Sequence, residues 1–403
     1  MTTPLRIGLV VHTFNMGGLE RCVSHLLNRL DRKRFAPSLV CMDRNGTAQE
    51  WLKVDDVPVF EMQKPPGQAK PAFYRRLRDC FREQRFELVH SHNWGTLLET
   101  SIASVMAGGV IHVHSERGTV LGGSTARSLL RRQINRWILR GALSHCDAVL
   151  AVDDSVAGRV AKASGYRQER IRVIPNGVPC PDCPDRQEAR RQNRAALGIA
   201  PEDIVLCSLG RLVPVKGFDL LIAAVARVRD QGTRLHLILA GDGPLKESLQ
   251  AQATQAGVGE QVHFVGRTTR VGEWLATSDL FINSSLSEGM SQAIVEAMAF
   301  GLPLVVTDVG GNAWLVGGET PAGMVVPPQD VGELAGGILR VVNDSSLREQ
   351  FRLAGMKRAE TQFGLQPMID QYEELYERLA RASGERRSAM EQRPLAVGSG
   401  ERS

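Results

Sequence analysis

No apolar stretch in this chain approaches the roughly 20 residues that a transmembrane helix needs. The N-terminus, Met-Thr-Thr-Pro-Leu-Arg before the short run Ile7–Val11, lacks the pattern of a secretory signal. The expectation is a soluble, cytoplasmic protein that at most lies on the inner face of a membrane. The seven cysteines are odd in number and scattered (22, 41, 80, 146, 180, 183 and 207), which argues against a disulfide framework. Cys180-Pro-Asp-Cys183 has redox or metal spacing but no second pair, and it sits among prolines, so it reads as a chance pairing in a linker. Charge of one sign is also missing: 49 basic against 44 acidic residues leave a formal +5, mild for 403 residues, and nothing requires nucleic acid.

What the chain does have is a rhythm. Short β-branched runs alternate with helical patterns, at 7–12, 38–42, 88–92, 110–114 and 148–152, and again at 204–210, 235–241, 262–264, 280–282, 303–307 and 324–326. Continuous apolar strands separated by helices predict parallel sheets covered on both faces. The rhythm breaks between Ile174 and Ile204, at Pro175-Asn-Gly-Val-Pro179, the proline-cysteine cluster and a charged stretch. The fold class is therefore α/β, with two doubly wound Rossmann-like domains facing across a cleft. We expect a first domain over residues 1–180, a linker over 181–200, a second domain over 201–364, an amphipathic helix over 365–382, and a disordered tail over 383–403. Ligands of open α/β sheets bind at the carboxyl ends of strands, so the informative loops are those that follow the strands.

One such loop carries Glu288-Gly-Met-Ser-Gln-Ala-Ile-Val-Glu296, running into an apolar-periodic helix. One carboxylate stands at the mouth of that helix and the other on its first turns, with free backbone N–H groups between them. This suits an anionic or polyhydroxy ligand. A second loop, Gly210-Arg211-Leu-Val-Pro-Val-Lys216-Gly217, offers Arg and Lys between flanking glycines, which fits a diphosphate. A third, Met16-Gly17-Gly18-Leu-Glu20, opens a helix with paired glycines that permit close approach of a phosphate or a sugar. Further strand ends carry His90-Ser-His92-Asn93, His112-Val-His114-Ser-Glu116-Arg117, Gly241-Asp-Gly243 and Val265-Gly266-Arg267. A lone His-x-His with no third ligand nearby in sequence is a poor metal site, and hydrogen bonding to substrate hydroxyls suits these polar strand ends better.

The ordered set GGLE, HSHN, IPNGV, GRLVPVKG, GDGP, FVGR and EGMSQAIVEAMAFGLP resembles the retaining glycosyltransferases of family 4, with the GT-B fold, over roughly residues 6 to 380. The glutamate pair with its flanking AMA-GLP is the most specific mark. The resemblance implies transfer of a sugar from a nucleoside diphosphate sugar to a hydroxyl of a glycan or lipid-linked acceptor. Arg211 and Lys216 would hold the diphosphate, and Glu296 the ribose. Glu288 and the backbone of Gly289, Met290 and Ser291 would contact the transferred sugar. Gly17 and Gly18 would close over the phosphates, and Gly266 would pass close to the base. His114 would lie near the anomeric carbon, with His112 an alternative, and His92, Asn93 and Arg117 are acceptor-side candidates. The terminal helix around Tyr372–Leu379 would brace the first domain. The family's glutamate shortly after Gly310-Gly311-Asn312 is replaced here by Ala313-Trp314-Leu315, a departure that concerns that loop and not the donor site.

No convincing Asp-x-Asp motif occurs in a suitable loop, consistent with the metal independence the resemblance implies, so no metal and no cofactor are expected. The segment from Arg127 to Arg140 carries five arginines and no acid. A helical wheel puts Leu130, Ile134, Trp137 and Ile138 on one face and Arg132, Arg136 and Arg140 opposite. Such a helix either rests on anionic lipid or packs its apolar face on the first sheet. Two rival functions share the fold: a sugar-nucleotide epimerase, and a non-catalytic nucleotide-sugar-binding or scaffold protein.

Overall fold

The computed structural model describes residues 3–65, 67, 70–117 and 129–391. The first domain comprises β1 (Leu5–Val11), α1 (Gly18–Arg29), β2 (Phe35–Cys41), β3 (Val59–Glu61), α2 (Pro71–Glu83), β4 (Leu88–His92), α3 (Trp94–Ala107), β5 (Ile111–Glu116), α4 (Leu129–Ser144), β6 (Ala148–Ala151), α5 (Asp154–Ser164) and β7 (Ile171–Val173). After the crossing come α6 (Arg186–Ala196), β8 (Ile204–Leu209), α7 (Phe218–Arg229), β9 (Leu235–Ala240), α8 (Lys246–Gln255), β10 (Val262–Gly266), α9 (Val271–Thr277) and β11 (Leu280–Asn283). The chain ends with α10 (Gln292–Phe300), β12 (Leu304–Thr307), α11 (Asn312–Val316), β13 (Gly323–Val326), α12 (Val331–Asn343), α13 (Ser345–Gln362) and α14 (Leu365–Glu391).

Both sheets are parallel, in the orders β3-β2-β1-β4-β5-β6-β7 and β10-β9-β8-β11-β12-β13. The strands alternate between two cores, as a period of two requires. Ile7, Leu9 and Val11 face α1 and α14, whereas Val10 faces Phe73 and Leu77 of α2. In the second domain Val205 and Cys207 point to one core and Leu206 to the other. One apolar cluster continues from Val149 and Val156 of the first domain to Ile294 and Met298 of α10, so the domains share a packed interface. All six runs expected in the second half are strands. In the first half β3 and β7, three residues each, were too short to stand out as runs.

The chain crosses between domains twice, side by side. Val178 N–H donates to the Phe363 carbonyl at 2.9 Å, and a Cβ on Gly177 would come within 2.9 Å of the Gly364 carbonyl oxygen, so only glycine fits there. The segment expected to be a linker, 181–200, holds the helix α6, which belongs to the second domain. Its Arg190 and Arg194 grip Asp279 at 2.5 and 2.7 Å. Asp185 caps it by accepting from Glu188 N–H, and these charge contacts leave no apolar signature for a strand-and-helix rhythm to show.

The return helix α14 places Met368, Ile369, Tyr372, Leu375 and Tyr376 in the first domain's core at helical spacing. It continues to Glu391, past the boundary expected at 382. Glu, Arg, Ala and Met in the extra segment are good helix formers, and Arg386 pairs with Asp147 at 3.2 Å. Residues 392–403, the rest of the expected tail, lie outside the described residues. Trp314 packs edge-on against Phe363, with ring centroids 5.0 Å apart, so the departing residue of the glycine loop supports the second crossing.

Arg117 fastens these parts together. Its guanidinium is buried and donates to Tyr372 Oη at 2.7 Å, to Asn176 Oδ1 in the crossing, and to Cys22 Sγ on α1 at 2.9 Å. Hydrogen bonds to a charged group contribute about 1.5–3 kcal/mol when buried. Tyr372→Phe should therefore lower the unfolding free energy by about 2 kcal/mol, read as a shift in urea midpoint. An unchanged midpoint would show that Arg117 does not depend on this bond.

Candidate functional site

The cleft is lined by the carboxyl ends of both sheets. On the second-domain side, the loop after β8 presses on the loop after β11. Gly217 has φ +61°, and a Cβ there would stand 2.2 Å from the Ser284 carbonyl oxygen, so the approach requires glycine. Two bonds stitch the loops, Ser284 Oγ–H to the Lys216 carbonyl at 3.0 Å and Leu286 N–H to the Val215 carbonyl at 2.8 Å. The stitching brings Lys216 Nζ to 2.5 Å from Glu288 Oε1, which also accepts from Ser285 Oγ at 2.7 Å. Neither α7 nor α10 has a side-chain cap at its N-terminus, so first-turn N–H groups of both helices are left for a ligand. Arg211 is exposed, and its guanidinium makes no hydrogen bond or ion pair among the described residues, which leaves an unpaired cation at the rim.

Glu296 stands on the second turn of α10, and its side chain is 7% exposed. Burial raises its pKa, and Arg21 of α1, 2.9 Å away across the cleft, opposes that rise. Gly289 lies against the Arg117 carbonyl and Val156 of the first domain. The side chains of Met290 and Ser291 turn inward: Met290 Sδ accepts from Asn176 N–H at 3.1 Å, and Ser291 Oγ lies 3.5 Å from Asn283 Nδ2. Any ligand contact from these two comes from the backbone. Gly266, at φ +73° on the end of β10, faces open space.

On the first-domain side, Gly17 is the N-cap of α1, and Gly18 offers its carbonyl to Gln292 Nε2 at 3.0 Å across the cleft. The histidines of β4 and β5 are all buried to 1% exposure or less. His90 is structural, bonded to Tyr376 Oη at 2.6 Å and Ser115 Oγ at 2.7 Å. His112 and His114 share Ser91 Oγ at 2.8 Å each, so the hydroxyl donates to one ring and accepts from the other. His112 also meets Ser101, whereas among the described residues His114 Nε2 and both ring nitrogens of His92 make no hydrogen bond, with Glu116 Oε2 lying 4.0 Å from His114 Nε2. Of the two candidates for the anomeric position, His114 is thus the one with a nitrogen to offer. Burial lowers His112 and His114 to about 3, and His90 and His92 well below the ordinary value, so the cluster is neutral near pH 7. Among the described residues no three His, Cys, Asp or Glu side chains are grouped to hold a metal ion.

Asn93 has φ +62° and ψ 162°, a conformation that is nearly exclusive to glycine. Its N–H donates to the Ser115 carbonyl at 2.8 Å, and its Oδ1 accepts from Arg117 N–H at 3.0 Å. Arg117 itself points into the core, with its terminal nitrogens bonded there, and among the described residues its buried Nε makes no hydrogen bond. The acceptor-side reading of its guanidinium is corrected accordingly: the side chain serves the interdomain joint. Its charge at a strand end gave no sign that a helix 255 residues later would cover it.

Three cleft residues escaped the sequence reading. Arg21 and Gln292 reach across between domains. A cation in the first turn of a helix opposes the macrodipole, which is a legible hint that Arg21 has an anionic partner. Asp153, at the end of β6, caps α5 through Oδ1, while Oδ2 is buried against Gly311 without a hydrogen bond. Its position at a strand end was the available signal.

Comparison with known proteins agrees with this architecture. Residues 16–180 match Glycosyltransferase Family 4, and residues 189–358 match Glycosyl transferases group 1. The UDP-Gal:alpha-D-GlcNAc-diphosphoundecaprenol alpha-1,3-galactosyltransferase of Escherichia coli is 24% identical over 371 residues, 90% of this chain and 94% of that protein. The lipopolysaccharide core biosynthesis glycosyltransferase LpsE of Rhizobium meliloti (strain 1021) is 33% identical over 230 residues, 57% of this chain and 64% of that protein. The crystal structure of Anabaena HepE in complex with UDP superposes with a TM-score of 0.76 at 24% identity, covering 93% of this chain and 99% of that one. With one match on each domain and the fold common to both, the chain belongs to the family 4, group 1 glycosyltransferases and has their GT-B fold.

Proposed function

We propose that this glycosyltransferase moves a sugar from a nucleoside diphosphate sugar to a hydroxyl of a glycan or lipid-linked acceptor, with retention at the anomeric carbon, in cell-envelope polysaccharide or glycolipid synthesis. The observation that carries the reading is the meeting of Lys216, Glu288 and Glu296 around two helix N-termini without side-chain caps. Lys216 and Glu288 neutralise each other at 2.5 Å. A diphosphate would draw Lys216 away, with Arg211 swinging in from the rim, and would free Glu288 for the sugar's hydroxyls. As the glycosidic bond breaks, negative charge grows on the diphosphate. Lys216, Arg211 and the helix N-termini stabilise it, and the assignment needs no metal. His114 offers a neutral ring nitrogen on the opposite wall. The relative acting on a diphosphoundecaprenol substrate, by its name, supports a lipid-linked acceptor.

The same reading places the acceptor's membrane beside α4. Ile134, Trp137 and Ile138 are 50, 70 and 45% exposed, while Leu139, Ala142 and Leu143 form the inward stripe. Of the two alternatives for this face, the described residues Ile134, Trp137 and Ile138 are turned outward rather than packed on the sheet. Arg136 and Arg140 are exposed beside it, and α4 holds no acid. Arg127, and the side chains of Leu130 and Arg132, lie outside the described residues. An apolar stripe edged by arginines fits an anionic bilayer, at about 1 kcal/mol per basic residue near the surface. No helix among the described residues is long and apolar enough to cross a membrane.

UDP, GDP, ADP and dTDP sugars should be compared by thermal shift without added metal. One base at a hundredfold over its dissociation constant should stabilise the protein by about 2.7 kcal/mol. Glu288→Ala and Lys216→Ala should each slow transfer by about a hundredfold or more, and NMR of the product should show the donor's anomeric configuration. Full activity in either variant contradicts the assignment. An epimerised donor without acceptor indicates the epimerase, and binding without transfer the scaffold. In a flotation assay, vesicles rich in phosphatidylglycerol should carry the protein up at low salt, and Trp137→Glu should leave it at the bottom. Wild-type protein that stays at the bottom disproves the membrane contact.

A further inference from the structure

Among the described residues, Glu296 is the one carboxylate of the second domain that finds its cation on the first. Arg21 Nη1 approaches Oε1 at 2.9 Å, and Oε2 makes no hydrogen bond among the described residues. A carboxylate has acceptor sites on both oxygens, so one can hold a guanidinium while the other takes hydroxyls. Two neighbouring contacts, Gln292 Nε2–H to the Gly18 carbonyl at 3.0 Å and Arg267 to Met16 Sδ at 3.0 Å, come from the same turn of the first domain. The start of α1 is thus seated on the start of α10. Arg21 sits there against the helix dipole, in a place that costs about 0.3–1 kcal/mol without an anion.

We propose that Arg21 is a positioning residue for the donor's ribose: from the first domain it fixes Oε1 of Glu296 and leaves Oε2 facing the ribose hydroxyls, so that full grip on the nucleoside requires the closed cleft. This rests on the donor-site reading of Glu296 given above. A buried carboxylate left alone tends to take up a proton and then donates where it should accept. The guanidinium keeps Glu296 an acceptor and sets its rotamer. Because the two partners belong to different domains, donor recognition and cleft closure become one event. The first domain then contributes to nucleoside selectivity without touching the base.

The test is the preference for ribose over deoxyribose. Dissociation constants for UDP, GDP and ADP and for their 2′-deoxy counterparts would be measured by calorimetry on wild type, Arg21→Ala, Arg21→Lys, Glu296→Gln and the Arg21→Ala/Glu296→Gln pair. Wild type should prefer the ribonucleotide of its own base by about tenfold or more, the scale of a hydrogen bond to a charged group. Arg21→Ala should cut that preference to the few-fold level of Glu296→Gln, the double variant should lose nothing further, and Arg21→Lys should restore part of it. If Arg21→Ala weakens both nucleotides equally, leaves the preference intact, or adds to the loss in Glu296→Gln, Arg21 does not act through Glu296. Wild type that binds none of the nucleotides would overturn the donor-site reading itself, a distinct failure.

Discussion

Everything that makes this chain one body converges on a buried guanidinium. Arg117 follows the last strand residue of β5, yet three of its five N–H donors go to α1, to the crossing between domains and to the returning helix. A charge removed from water demands every one of those bonds, because an unmet donor costs more than a met one contributes. The partners are a thiol, an amide and a phenol, with no carboxylate among them, so the charge is solvated by dipoles and by the face of Tyr372 at 5.8 Å. The arrangement fixes the crossing at Asn176, whose N–H in turn meets Met290 beside Glu288 and Gly289. The floor of the cleft is thereby tied to a residue that never enters it.

The two walls of the cleft handle polarity in opposite ways. On the first domain, four histidines are buried and neutral, and three of them, His90, His112 and His114, are interlocked through serines and a tyrosine, which makes a rigid polar surface. On the second, side chains of opposite charge are paired with each other: Lys216 with Glu288, and Glu296 with Arg21 from across the gap. Pairs of this kind hold charges in a partly dry site without a ligand, and an anionic ligand can exchange with them at small net cost. A neutral, rigid wall suits hydroxyl acceptors. A wall of paired charges suits the diphosphate of the proposed donor.

The sequence announced what depends on local pattern. The long parallel strands, the helix after Gly289 and the amphipathic face of α14 follow from periodicity and were legible. Lys216, Glu288 and Glu296 stood out as charged groups after strand ends, and their role in donor binding belongs to the proposed function. The three-residue strands β3 and β7 were not, since their pairing partners rather than their composition make them strands. Helix α6 was hidden because it packs through arginines, and Arg117 was misread because its partner Tyr372 lies on a distant helix. Arg21 was overlooked for the same reason: its meaning comes from Glu296, 275 residues away. Long-range pairing of charges is what one-dimensional pattern conveys least.

Asn93 joins these themes. An asparagine in a glycine-like conformation carries a strain of about 1–3 kcal/mol, which persists only where its surroundings overdetermine it. Here they do: its N–H and Oδ1 are both committed to β5 and to the backbone of Arg117. The strain sits in the turn that carries the chain from His92 into α3, and among the described residues the two buried nitrogens of the His92 ring make no hydrogen bond. Glycine would relieve the strain but would give up the bond to Arg117 N–H, loosening the strand end from the joint that holds the domains. The asparagine is therefore best understood as a compromise in which backbone energy maintains the shape of the first-domain wall, and that wall is aligned with the donor half through the same arginine.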